Sequence, residues 1–206
     1  MSYADCLETE GKSRAILEPL FDFHSGNRMV VLEHCAAAAQ LQRIADLAIG
    51  RRTHRGAVTL ELKAEEHFRG NLFIEEFSNL NIGSAAARDA HPSRLGWGLT
   101  CGADVLAYHF LDKNRLYLVG FQALLVYVFG CKPNGQIRAG DYSLQAQRKH
   151  RQMNNTVGLL VSVAHLQKAL GEQFQFLEVG SLLDAEYIGR ALGETAAESH
   201  VSARGR

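Results

Sequence analysis

Apolar and polar positions alternate most sharply over residues 57–65, AVTLELKAE. Val58, Leu60 and Leu62 fall on one face and Thr59, Glu61 and Lys63 on the other, the period-two signature of a half-buried strand. A second β-like segment, Arg43 to Gly50, precedes it across the polar loop RRTHRG, and a third, Asn71 to Phe77, follows the connection His67 to Gly70. Helical spacing is read over Arg28 to Gln42, where Val30, Val31, His34, Cys35 and Ala38 share a face. A short helix is expected over Ser13 to Phe23, limited by Pro19. Further on, Ala103 to Phe110 and Arg115 to Gly120 predict a hairpin around Leu111 to Asn114, and Phe121 to Phe129 a helix packed on it. Leu159 to Leu170 resumes apolar patterning. The long polar connection 78–97 has the length of a functional or mobile loop.

These elements predict an α/β (α+β) protein with a central mixed or antiparallel sheet flanked by helices. The organisation expected is a mobile N-terminus over 1–12, one domain over 13–190 and a disordered tail over 191–206. With 47% apolar and 21% charged residues the chain can fill a core. The longest nearly continuous apolar stretch, Phe121 to Phe129, is far short of the roughly 18–20 residues of a membrane span. No membrane partner and a cytoplasmic location are therefore expected. The four cysteines are scattered without a CxxC pair, and the nine histidines form no HxH or HExxH spacing. No phosphate loop and no GxSxG elbow is present. What remains is carboxylate chemistry.

Pairing Gly50 with Ala57 in an antiparallel hairpin sets Asp46 opposite Glu61, with Lys63 two residues on and on the same face. Two adjacent carboxylates repel, so a site that keeps them side by side needs a proton or a cation. Oxygen-only donors suit Mg²⁺ or Mn²⁺, completed by water and substrate phosphate. Lys63 would then position an attacking water and stabilise negative charge. The same triplet also occurs as a solvated cross-strand cluster.

The order helix, Asp on one strand, ExK on the next resembles the PD-(D/E)XK nuclease superfamily. The stretches LELKAEEHFRGNLFIEEFSNLN and GWGLTCGADVLAYHFLDKNRLYLVGFQALLVYVFG, with the basic RKHRQMNNTVG, are similar to small phage and prophage proteins assigned to it. The resemblance covers roughly residues 14–170 and implies a restriction-endonuclease-like core. It also implies a Mg²⁺-dependent (or Mn²⁺-dependent) DNA endonuclease or end-processing enzyme that leaves a 5′-phosphate. Asp46 matches the strand-one aspartate, Glu61 and Lys63 the ExK pair, and Glu75 a later glutamate. Asp46 and Glu61 would be the metal ligands. A simple register across His67 to Gly70 instead sets Glu76 opposite Glu61; the resemblance favours Glu75. Ala45 stands where the superfamily often has proline.

Zero net charge, 22 basic against 22 acidic residues, excludes DNA binding by bulk charge. Basic residues nonetheless cluster, and Arg51, Arg52, Arg55, Arg69, Arg148, Lys149 and Arg151 are the candidate phosphate contacts. Arg88 and Arg94 lie on the long polar connection. Glu33 is a candidate accessory acid, Asp104 a turn or capping residue, and Trp97 and Cys101 packing residues. A homodimer would suit the cutting of two strands. The host cytoplasm would be the location if the chain is phage-encoded. The alternative is a catalytically inactive nuclease-fold protein that binds DNA or a host protein.

Overall fold

The computed structural model describes residues 3–26, 29–32, 45–50, 57–79, 93–129, 145–150 and 155–179. Helix α1 (Tyr3–Ser25) leads into strands β1 (Met29–Val31), β2 (Leu47–Gly50), β3 (Ala57–Glu65), β4 (Asn71–Asn79) and β5 (Arg94–Leu95). The short helix α2 (Trp97–Thr100) precedes β6 (Val105–Phe110) and β7 (Arg115–Gly120), and α3 (Phe121–Phe129) follows. Then come β8 (Gln145–His150), β9 (Asn155–Ser162), α4 (Val163–Leu170) and β10 (Phe174–Glu178). Two sheets result: a six-stranded one in the order β1-β2-β3-β6-β7-β10 and a four-stranded one in the order β5-β4-β9-β8. The larger sheet is mixed, because β3 and β6 run parallel while its other pairs are antiparallel. The architecture is thus mixed α/β with a mixed sheet flanked by helices. No helix among the described residues is long and apolar enough to cross a membrane.

The alternation in β3 sorts its side chains between two cores. Val58, Leu60 and Leu62 join Leu17 and Phe21 of α1, with Val105, Ala107, Leu116 and Leu118. On the opposite face Leu106, Tyr108, Tyr117 and Val119 pack with Leu72 and Ile74 of β4, Leu159 and Val161 of β9, and residues of α3 and α4. The larger sheet is therefore a middle layer, with α1 on one side and the smaller sheet with α3 and α4 on the other.

Helix α1 begins at Tyr3 rather than Ser13, so residues 3–12 are its first turns. Its buried ridge is Thr9, Ser13, Leu17 and Phe21, spaced every four residues. Two of these four are hydroxyl residues, which hides the helical period from an apolar pattern. Ser13 is hydrogen-bonded to Nδ1 of the fully buried His109 at 2.9 Å, and Thr9 donates to the Asp5 carbonyl at 2.8 Å. Pro19 sits on the exposed side, where water can take the place of the N–H it does not supply to the helix.

The helix expected over Arg28 to Gln42 is corrected at its start. Met29 to Val31 are a strand paired with β2, as suits adjacent valines on a sheet edge; residues 33–44, Glu33 included, lie outside the described residues. Within the described residues strand β2 starts at Leu47, because the chain bends at Asp46, whose carbonyl accepts from Leu32 N at 2.9 Å. The third expected strand, β4, does not extend the β2–β3 sheet. Residues 66–70 cross the end of the β6–β7 hairpin instead of turning back. Asp112 N donates to the Glu66 carbonyl, Phe68 N to the Asp112 carboxylate, both at 3.0 Å, and the Phe68 ring meets Phe110 edge-on at 5.0 Å. The place beside β3 is taken by β6. The β6–β7 hairpin, with Asn114 in the left-handed region (φ 50°), and α3 match their expected spans closely. The tail 191–206 lies outside the described residues.

Burial lowers the proton affinity of His109, against a smaller opposing pull from the Asn114 side chain. A depressed histidine contributes stability that is present above its unfolded value, near 6.5, and is lost as pH falls towards the folded value. Urea unfolding between about pH 5 and 8 should show stability dropping on the acid side of that window, and His109→Gln should flatten that drop.

Candidate active site

The β2–β3 register is the expected one, Gly50 with Ala57 through Leu47 with Leu60. Asp46 lies one step beyond the ladder. Its backbone N–H still donates to the Leu60 carbonyl at 2.9 Å, and its Oδ2 accepts from Leu62 N at 2.7 Å. The side chain thereby substitutes for the strand that β2 does not supply, capping the edge of β3. Asp46 is thus not a ladder partner of Glu61; its carboxylate reaches the neighbourhood of Glu61 by this edge contact. Its Oδ1 accepts from Arg14 Nη2 of α1 at 3.0 Å. Arg14 also pairs with Glu18 at 3.3 Å and, more loosely, with Glu10 at 3.8 Å.

Glu61 and Lys63 project from the face of β3 opposite α1, since Leu60 and Leu62 face α1. Glu61 is only 6% exposed. Its Oε1 accepts from Lys63 Nζ at 2.7 Å and its Oε2 from the Cys101 thiol at 3.4 Å. Burial raises the proton affinity of Glu61 and the Asp46 charge adds to that rise; Lys63 and Cys101 oppose it. Lys63 keeps its proton more tightly than an ordinary lysine: its burial works against that, and Glu61, Asp46 and Glu10 outweigh the burial. The Cys101 thiol is pushed up to about 12, by burial first and then by the Glu61 charge. It is a neutral donor, not a nucleophile.

Glu75 arrives from the other sheet. Burial raises its proton affinity, while the Lys63 charge and then the nearby Trp97 backbone pull the other way. The Glu61 charge also raises it. Glu76 is raised by burial alone and has no such link to Lys63. The in-sheet register that set Glu76 opposite Glu61 is therefore overturned, because β4 pairs with β9 and β5 rather than with β3. Between Glu75 and Phe77 the β4–β9 register shifts, Glu75 pairing with Gly158 and Phe77 with Val157. Such a bulge leaves the intervening residue unpaired and re-aims its neighbours.

Tyr108 helps to hold the two sheets together beside the cluster. Its hydroxyl donates to Glu65 at 2.5 Å and accepts from Phe73 N at 3.3 Å, two residues before Glu75. Trp97 is part of the site too, since Lys63 Nζ lies 5.5 Å from its ring centroid. Asp104 serves the fold instead. Its carboxylate accepts from Thr59 N and Oγ1, both at 2.9 Å, tying the start of β6 to β3.

The structure thus pairs Glu61 with Lys63, sets Asp46 on the Leu62 N–H between them, and brings Glu75 of the other sheet within reach of the Lys63 charge. Arg69 is exposed between β3 and β4, and Arg94 is exposed on β5. Arg148 and Lys149 lie on β8, and their side chains are outside the described residues. Arg51, Arg52, Arg55, Arg88 and Arg151 are outside them altogether. Sequence reasoning missed Arg14 and Glu10; the Arg14–Glu18 spacing signals a helix but not its meeting with Asp46. Among the described residues, no group of three or more His, Cys, Asp or Glu side chains is arranged to hold a metal ion. Comparison with family models, curated proteins and solved structures finds no match to the chain.

Removing one partner of a largely buried ion pair leaves the other charge without compensation. Lys63→Met should cost about 3 kcal/mol in urea unfolding, the low end of the buried-pair range because a quarter of the Lys63 side chain is exposed. Lys63→Met/Glu61→Gln should recover at least about 1 kcal/mol of that loss.

Proposed function

We propose that the chain is a metal-dependent deoxyribonuclease with a restriction-endonuclease-like core. The observation that carries this reading is the meeting of Asp46 with the ExK pair: Glu61 is ion-paired to Lys63 at 2.7 Å, Asp46 accepts from the N–H of Leu62 between them, and Glu75 on the other sheet feels the Lys63 charge. These are the residues that match the superfamily motif, and nothing in their sequence spacing alone requires Glu75 to join the others.

The donor set fits a hard divalent ion in kind. Mg²⁺ is commonly held by one or two carboxylates, with water and substrate phosphate completing the shell, so a closed protein cage is not needed. Asp46 and Glu61 would be its ligands, and each carboxylate oxygen has a second lone pair beyond the one already used. Bound there, Mg²⁺ or Mn²⁺ would activate water and neutralise charge at phosphorus. Lys63 would orient the attacking water and stabilise the anionic transition state. Glu75 would hold Lys63 from the far side. Arg14 would offer a scissile phosphate its guanidinium, which binds carboxylate and phosphate in the same fork geometry. The basic residues at 51–55, Arg69 and those at 148–151 would contact DNA phosphates, and a homodimer would cut both strands.

One observation favours a second reading. All four carboxylate oxygens of Asp46 and Glu61 already accept from protein donors: Arg14, Leu62 N, Lys63 and Cys101. A site neutralised in this way also suits an inactive nuclease-fold protein that binds DNA or a host protein.

Purified chain with Mg²⁺ or Mn²⁺ should cleave DNA, and Asp46→Ala and Lys63→Ala should each lower the rate at least about 100-fold without abolishing DNA binding. Salt-dependent DNA binding with no cleavage under either ion would select the second reading.

A further inference from the structure

The six residues Gly96 to Cys101 touch three of the four motif residues at once. Gly96 lies directly against the Glu75 side chain, so close that a Cβ there would be 2.5 Å from Glu75 Cγ. The Trp97 ring lies under the Lys63 ammonium, 5.5 Å from ring centroid to Nζ. The Cys101 thiol donates to Glu61 at 3.4 Å. We propose that the segment Gly96–Cys101 is a positioning element, which fixes Glu75 and Glu61 against Lys63 for the reaction. The inference rests on the nuclease reading and extends it to residues outside the motif.

Its internal bonds make the segment a rigid turn. Leu99 N donates to the Gly96 carbonyl at 3.1 Å, Thr100 Oγ1 to the same carbonyl at 3.0 Å, and Cys101 N to the Trp97 carbonyl at 3.0 Å. Two further contacts press it on β4: Gly96 N donates to the Glu76 carbonyl at 2.8 Å, and Leu95 pairs with Phe77. The Trp97 ring is backed by Phe121 at 6.2 Å between centroids.

The fit against Glu75 admits no side chain. A Cβ on Gly96 would lie 2.5 Å from Glu75 Cγ and 2.7 Å from its carbonyl oxygen. One on Gly98 would lie 2.5 Å from the same oxygen and 2.9 Å from Ile74 Cγ2. Across the sheet Gly158, the ladder partner of Glu75, is equally confined: a Cβ there would lie 2.5 Å from the Phe73 ring and 2.6 Å from the Ile74 carbonyl oxygen. The β4 backbone at Ile74 and Glu75 is therefore confined from both neighbouring segments where the bulge re-aims the strand. A turn that served packing alone would need neither a glycine against a carboxylate stem nor an indole under an ammonium.

Gly96→Ala must displace Glu75 or the turn by several tenths of an ångström, and misplacement on that scale can cost up to about 100-fold in the chemical step. The experiment measures kcat and KM for DNA cleavage by wild type, Gly96→Ala, Glu75→Gln and the double variant. The expected result is a lower kcat with KM within about twofold, and no further loss when Gly96→Ala is added to Glu75→Gln. Multiplicative losses would overturn the proposal, as would an unchanged kcat in Gly96→Ala. A second measurement needs neither activity nor the glycine variant to fold. Trp97 is the single tryptophan of the chain, so its emission reports the site directly. Lys63→Met and Glu75→Gln should each shift its intensity or wavelength relative to wild type, while Lys168→Met, on α4, should not. Emission unchanged in both site variants would overturn the positioning role. If wild type shows no cleavage, the nuclease reading fails, and the emission still decides whether the segment holds these residues.

Discussion

A carboxylate kept almost dry between two sheets is the constraint on which the rest of the site depends. Glu61, at 6% exposure, can stay ionised there only with a cation and donors in contact, because desolvation favours its neutral form. Lys63 supplies the cation from two residues along the same strand face, at 2.7 Å. That proximity costs Lys63 its own hydration, which is compensated by Asp46 and Glu10 as well as Glu61. The acids around Lys63 offset its desolvation but penalise one another: the Asp46 charge raises the proton affinity of Glu61, and the Lys63 cation and the Cys101 donor oppose that rise. Cys101, poor as a hydrogen-bond donor, fits the last open oxygen of Glu61 without adding charge.

The separation of the two sheets turns this pair into a cluster. Had β4 followed β3 as a hairpin, Glu75 and Glu76 would lie in the same sheet as Glu61, with one of them directly opposite it and repelling it. Crossing over the β6–β7 hairpin instead places β4 in the covering layer, so Glu75 reaches Lys63 from the other sheet. The vacancy beside β3 is filled by the parallel strand β6, which brings Tyr108 alongside Lys63. The Tyr108 hydroxyl then satisfies Phe73 N on an edge of β4 that β5 does not reach, linking the layers where their spacing matters most.

What the sequence reveals and what it hides follow from the range of the interactions. The alternation of β3, the β6–β7 hairpin and α3 depend on neighbours along the chain, and their spans are readable. The β2–β3 register is also local, so the closeness of Asp46 to the ExK pair can be inferred, although its exact role as an edge cap cannot. Helix α1 is foreshortened in the sequence pattern because Thr9 and Ser13 occupy half of its buried ridge, one of them answering a histidine 96 positions away. Met29 to Val31 pass for helix because a strand that short has too few residues to show a period. Arg14, Glu75 and the turn at 96–101 meet only in three dimensions. Trp97 and the glycines beside it look like packing and loop punctuation, and no residue-by-residue property distinguishes a glycine that frees a turn from one that makes room for a glutamate.

The balance of charge at the site extends the same argument. Asp46 and Glu61 could have been left as bare carboxylates, at a folding cost that only a bound ion would relieve. Here each already has a cation from the chain, Arg14 from α1 and Lys63 from β3. Each carboxylate is thus compensated by a cation of the chain itself. The two cations differ in kind. Lys63 is a point charge paired with one carboxylate, Glu61, over the face of an indole. Arg14 is a planar fork on a helix face, shared among Asp46, Glu18 and Glu10, and its geometry serves a phosphate as well as a carboxylate. Of the two, Arg14 divides its charge among three carboxylates while Lys63 contacts one, and Asp46 holds a further bond from Leu62 N that does not depend on Arg14.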